Sequence, residues 1–92
     1  MRIIVSQHPA AVEFIRRELP EFSGAPVLTT ATPDDVRGRV VAGNLPLHLA
    51  ALAAEVIGIQ FAGPPPRGRE YGIQDMYAAG AYLARYRVEA LS

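Results

Sequence analysis

Short apolar runs, mostly β-branched, alternate along this chain with helix-period stretches, and proline or glycine stands at nearly every change. Ile3-Ile4-Val5 reads as a strand covered on both faces. It stops at Ser6-Gln7-His8-Pro9, where Pro9 suits the first helical position and His8 the cap. Val12, Ile15 and Leu19 then recur at helical spacing, with Glu13, Arg16 and Arg17 opposite, until Pro20 ends the helix. Residues 26–30 form a second strand, Thr32-Pro33-Asp34-Asp35 a turn or one helical turn capped by Thr32, and residues 39–42 a third strand. Gly43-Asn44-Leu45-Pro46 launches an apolar helix to about Ile57, which Gly58 ends. Residues 59–62 make a fourth strand. A stiff proline-rich loop follows over residues 63–72. A third helix starts at Gln74 or Asp75 and continues through Leu83, and residues 85–91 finish as a fifth strand. This order predicts an α/β layer fold with a mainly parallel sheet of four to five strands and about three helices.

A chain of 92 residues leaves room for one small domain, residues 1–92, with one core. It has no cysteine, so disulfides and cysteine-based zinc sites are excluded and oligomerisation is the remaining source of extra buried area. Nine arginines balance nine carboxylates, which argues against a protein that coats long duplex nucleic acid by bulk charge. No run reaches the roughly 18 apolar residues of a membrane span, and Met1-Arg2 with three apolar residues after it is no secretory signal. A cytoplasmic prokaryotic protein is expected. Every basic residue is arginine, which fits a GC-rich genome, with planar guanidinium contacts to phosphate as the functional reading for one or two of them.

In parallel sheets ligands lie beyond the carboxyl ends of the strands. That rule selects residues 6–9, 43–46 and 63–70. The first two are strand-to-helix turns, which aim backbone N–H groups and a positive helix end at an anion such as phosphate. The nucleotide-binding glycine motifs and the hydrolase Gly-x-Ser-x-Gly are absent. Histidine titrates near neutrality as a residue type, so His8 is either a proton donor and acceptor or a helix cap with a solvated ring. Ser6 can orient a phosphate or His8. Gly43 permits close backbone approach and the Asn44 amide both donates and accepts, unless the pair is plain turn chemistry. Arg67 and Arg69, after three prolines, either offset charge on a phosphoryl group or form a solvated loop with Glu70. Tyr71 can stack on a base. His48 reads as an ordinary surface position, and two histidines without a carboxylate pattern predict no metal site and no cofactor.

Three segments resemble a known family. Residues 6–14, Ser-Gln-His-Pro-Ala-Ala-Val-Glu-Phe, resemble the pattern S-R-H-P-G-A-x-E-W of a small CRISPR-associated family of the Csx, VVA-like type, found beside type III CRISPR systems. Residues 45–51 resemble its L-P-V-x-L-A-A. Arg67-Gly68-Arg69-Glu70 with Gln74-Asp75-Met76 resembles its R-G-R-E-L-x-x-x-D-M. The chain departs from the family's acidic residue after the second strand, where it has Ala31 and Thr32, and from its aspartate before the last loop, where it has Gly63 and Pro64.

The resemblance implies a small Rossmann-like three-layer domain, a homodimer, that handles cyclic oligoadenylate as a metal-independent ring nuclease. Ser6, His8 and Arg69 are then expected in catalysis, and Gln7, Gly43, Asn44, Leu45, Arg67 and Glu70 in substrate binding. A two-fold dimer can present the same loops to opposite phosphates of a symmetric ring. Two other readings stand beside it. One is a sensor or sponge that binds a cyclic nucleotide without turnover. The other is a structural subunit whose apolar second helix docks on a larger partner.

Overall fold

The computed structural model describes residues 1–66 and 71–92. Strand β1 (Arg2–Val5) is internal to the sheet, since Ile3, Ile4 and Val5 are all buried although they point to alternate faces. Only a strand with neighbours on both edges and cover on both faces meets that pattern. Around it the order is β2-β1-β3-β4-β5, with β2 (Val27–Leu28), β3 (Val40–Gly43), β4 (Glu55–Phe61) and β5 (Ala81–Tyr86). The first three pairings are parallel, and β4 with β5 is antiparallel. Four helices, α1 (Pro9–Glu18), α2 (Pro33–Val36), α3 (Leu47–Ala50) and α4 (Ile73–Ala78), and a single 3₁₀ turn at Pro20–Phe22 complete the described residues. None of these helices is long and apolar enough to cross a membrane.

Alternation along the strands divides the core. Ile3, Val5, Val41 and Val56 pack with Val36 of α2 and Leu49 and Ala50 of α3. Ile4, Ala42 and Ile57 pack on the other side with Ile15 of α1 and with Phe22. A third cluster joins Ala10 and Phe14 of α1 to Met76 of α4, against Ile59, Phe61 and Leu83. Helix α1 starts as the sequence implies, with His8 extended at the cap and Pro9 next, although the imidazole makes no capping hydrogen bond. Helix α2 is the one-turn alternative. The Thr32 backbone N–H and hydroxyl both donate to the Asp35 carboxylate, at 2.7 and 2.9 Å, and the Asp35 N–H donates back to the hydroxyl at 3.4 Å.

Two expectations need correction. The apolar helix expected from Pro46 to about Ile57 is a single turn, Leu47–Ala50, and Glu55–Ile57 belong to β4. Alanine and leucine favour helix, but β3 and β5 both offer β4 a hydrogen-bonding edge, and pairing overrides propensity. Gly58 is therefore a mid-strand residue opposite Ala84 rather than a helix stop. With the long helix goes the docking element that a structural-subunit role would use. The third helix ends at Ala78 rather than Leu83, because Gly80 at φ 77° turns the chain back into β5. The last strand accordingly covers residues 81–86 instead of 85–91.

Candidate functional site

Strands β1 and β3 lie side by side, but their chains leave in opposite senses. From β1 the chain passes through α1, on the Ile4 face, to β2; from β3 it passes through α3, on the Val5 face, to β4. Such a divergence opens a crevice beyond the strand ends, which is the general ligand position of open parallel sheets. The crevice is closely knit at its base. Ser6 N–H donates to Leu28 O at 3.0 Å and Asn44 N–H to Val5 O at 3.0 Å. Gly43 pairs with Val5 at φ 129°, and a Cβ added there would overlap the Val5 carbonyl oxygen and stand 2.9 Å from its carbon. Only glycine lets the two strand ends approach this closely.

Above that join lies a cleft of about 360 Å³ whose polar rim is Ser6, His8, Gly43 and Asn44. An adjoining hollow of about 230 Å³ shares Ser6, His8 and Asn44 and adds Gln7 and Thr29. Ser6 is tied into its own loop: its hydroxyl accepts the His8 N–H at 3.1 Å and reaches His8 O at 3.4 Å. Gln7 Nε2 donates to Thr29 O at 3.4 Å, which joins the β1 and β2 ends. The His8 ring stacks on Tyr71, with centroids 5.3 Å apart and planes 26° apart, inside the range of offset aromatic pairs. Among the described residues the His8 ring nitrogens and the Asn44 side-chain amide make no hydrogen bond, so both line the cleft with their full hydrogen-bonding capacity. No carboxylate stands among the described lining residues, and the ionisable groups there are His8 and Tyr71.

The expected site residues therefore distribute as follows. Ser6, Gln7, His8, Gly43 and Asn44 come together at the strand ends. The Asn44 N–H, expected to face a phosphate, is committed to Val5 O, so the side-chain amide is what Asn44 offers. Leu45 packs against the core under α2 and α3. Helix α3 is too short to supply a helix dipole, which leaves α1 as the helix whose start faces the crevice. Arg67, Arg69 and Glu70 lie outside the described residues. His48 sits exposed on α3, outside the cleft lining. Sequence reasoning missed the apolar wall. Ile59 and Phe61 reach the cleft from β4 and Met76 from α4. The period-two run Ile57, Ile59, Phe61 was the available signal for the first two, and the Asp75-Met76 pair of the family pattern for the third.

Chemically the cleft combines an imidazole, a hydroxyl-braced loop and a free amide with an aromatic and thioether wall. It can hold an anion or ester at one end and an apolar group at the other. Neither the curated proteins nor the solved structures give a match. One family model, described as "Putative CRISPR-associated protein (Cas_VVA1548)", matches residues 3–89, which take in all of the sheet but Arg2 and all of the cleft residues. The chain belongs to that family.

Proposed function

We propose that this protein is a metal-independent ring nuclease that binds cyclic oligoadenylate, cyclic tetra-adenylate first, and opens it, switching off type III CRISPR antiviral signalling in the cytoplasm. The observation that carries the reading is the convergence of Ser6, His8 and Asn44, from separate strand ends, on one cleft with unspent hydrogen-bonding capacity. Membership of a CRISPR-associated family supports the biological setting. Helices against both sheet faces support a Rossmann-like three-layer arrangement of a single domain. A homodimer gives a symmetric ring two equivalent sites.

In this reaction a ribose 2′-oxygen attacks the adjacent 3′-phosphorus. The new O2′–P bond forms as the P–O5′ bond breaks, giving a 2′,3′-cyclic phosphate and a 5′-hydroxyl. His8 takes the 2′-hydroxyl proton, and the leaving 5′-oxygen takes one from water. Ser6 acts by fixing the His8 backbone through the 3.1 Å bond. The Asn44 amide holds a phosphate oxygen, with Gly43 allowing its approach and Gln7 bracing the neighbouring strand end. Arg67 or Arg69 offsets the charge that grows on the phosphorane, and Glu70 orients an arginine or an adenine edge. Little more than in-line geometry and charge stabilisation is required of the protein.

The test is incubation with cyclic tetra- and hexa-adenylate, with and without chelator, followed by chromatography. Linear product ending in a 2′,3′-cyclic phosphate, formed equally in chelator, is expected. Intact ring retained at stoichiometric protein makes the protein a sensor, and a ring neither cut nor retained overturns the substrate class.

A further inference from the structure

The cleft is divided in two. Ser6, His8 and Asn44 are its polar lining and Ile59, Phe61 and Met76 its apolar lining, and Tyr71 joins the two, stacking on His8 and packing against the cluster that holds Met76. Met76 is fully buried, and Ile59, Phe61 and Tyr71 pack against the cluster that joins it to Phe14. The apolar half is thus part of a rigid core rather than a loose surface. A phosphate or a sugar gains nothing from such a wall, whereas a flat heteroaromatic ring joined to a charged ester uses both halves. Size sharpens the point. At about 360 Å³ the cleft is near the lower limit of small-molecule sites, which run from roughly 300 to 1,000 Å³. One nucleotide fits; a ring of several has to lie across the mouth and offer one unit.

Resting on the phosphodiester reading of the polar end, we infer that the apolar half of the cleft is a nucleobase subsite, filled by one base at a time. Tyr71 is its stacking and positioning residue. Its ring already lies on the imidazole of His8, so a base seated beside Tyr71 fixes its own ribose and phosphate next to the group that moves the proton. Ile59 and Phe61 supply the remaining contact area, with Met76 packed behind them. Because a π-face is common to all bases, this half contributes affinity and placement more than base identity.

Adenosine 5′-monophosphate and ribose 5-phosphate differ by the base alone and serve as probes in calorimetric titration of the whole chain. The monophosphate should bind about 5- to 150-fold more tightly, the value of one aromatic stack. Tyr71→Ala should abolish that preference without changing ribose 5-phosphate binding, and Tyr71→Phe should restore it. A readout independent of any variant is the methyl signal of Met76, which should shift with adenosine monophosphate and not with ribose phosphate. Equal affinities for the two probes, or an unmoved Met76 methyl at saturating adenosine monophosphate, overturn the subsite. If the preference and its Tyr71 dependence hold while cyclic oligoadenylate stays intact, ring cleavage falls and the subsite stands. If rings are opened but Tyr71→Ala binds adenosine monophosphate like the parent, the subsite falls and ring cleavage stands.

Discussion

Three glycine-to-alanine substitutions measure how firmly the base of the cleft is joined. At Gly24 an added Cβ meets nothing within 4 Å and the backbone is ordinary, so alanine should leave stability within about 0.5 kcal/mol. At Gly38 the space is equally open but φ is 72°, so backbone strain acts alone and should cost about 1–2 kcal/mol. Gly43 adds overlap to strain. Its φ is 129°, and the new methyl would collide with the Val5 carbonyl group, which also accepts the Asn44 N–H. Backbone cannot rotate away as a side chain can, so the ends of β1 and β3 must part. Strain, overpacking and a weakened hydrogen bond together come to about 3–6 kcal/mol. A domain of this length has about 5–14 kcal/mol in all, so Gly43→Ala should remove roughly half of it. Urea denaturation followed by far-ultraviolet circular dichroism reads the difference. With an m of about 1.5 kcal/mol/M the midpoint should fall by about 2–4 M. A Gly43→Ala midpoint no lower than that of Gly38→Ala would refute the rigid join, since strain alone would then account for both.

Other consequences are independent of that one. His8→Ala should cut the rate of cyclic oligoadenylate opening by about 10²- to 10⁴-fold with an unchanged circular dichroism spectrum, and a near-parental rate removes His8 from the chemistry. The hydrogen bonds from Thr32 hold the Asp35 carboxyl below its ordinary value near 3.8. The unfolded chain therefore takes up that proton first, so the contribution is complete above about pH 4 and is lost as pH falls through the folded value; Asp35→Asn should flatten the acid limb of the urea midpoint. The Tyr77 hydroxyl donates to Glu18 at 2.8 Å, and this bond to a carboxylate raises its pKa above the usual 10.0. That contribution is present below about pH 10 and fades as pH rises through the folded value, so Tyr77→Phe should remove the alkaline part of the profile while the Phe14 contact, at 5.2 Å, survives.

Much of the polar rim can be read from local sequence. Three β-branched residues before Ser6, and a proline where a helix can accept one, fix both the end of β1 and the start of α1 without reference to the rest of the chain. Gly43 and Asn44 follow because a strand run ends at them. The stretch from Leu47 to Phe61 is different. Its first half is rich in leucine and alanine, and nothing within it says that the helix stops after one turn. What decides is β5, which offers Val56, Ile57 and Gly58 antiparallel partners in Tyr86, Arg85 and Ala84. Information of that kind is non-local and leaves no periodic mark. Gly58 and Gly80 show the same difficulty in reverse. Gly58 reads as a helix stop yet continues a strand, and Gly80 reads as helix interior yet makes the turn.

The apolar wall depends on that misread region. Because Gly80 reverses the chain, β5 runs back along β4, and Ala62 N–H and Gly63 N–H donate at 3.0 Å to the carbonyls of Gly80 and Ala79. The segment just before β5 is thereby held at the end of β4, and α4 lies on the same face as α1, where Met76 meets Ala10 and Phe14. Tyr71 precedes α4 directly and so comes to rest on His8. Had the third helix continued to Leu83, β4 would lack its outer partner and α4 its anchorage, and the first and last parts of the chain would not meet at the cleft. The aromatic ring that meets the imidazole is therefore placed by the antiparallel pairing of β4 with β5. A change in β5 that loosens this pairing should disturb the site even though β5 lies outside the cleft lining.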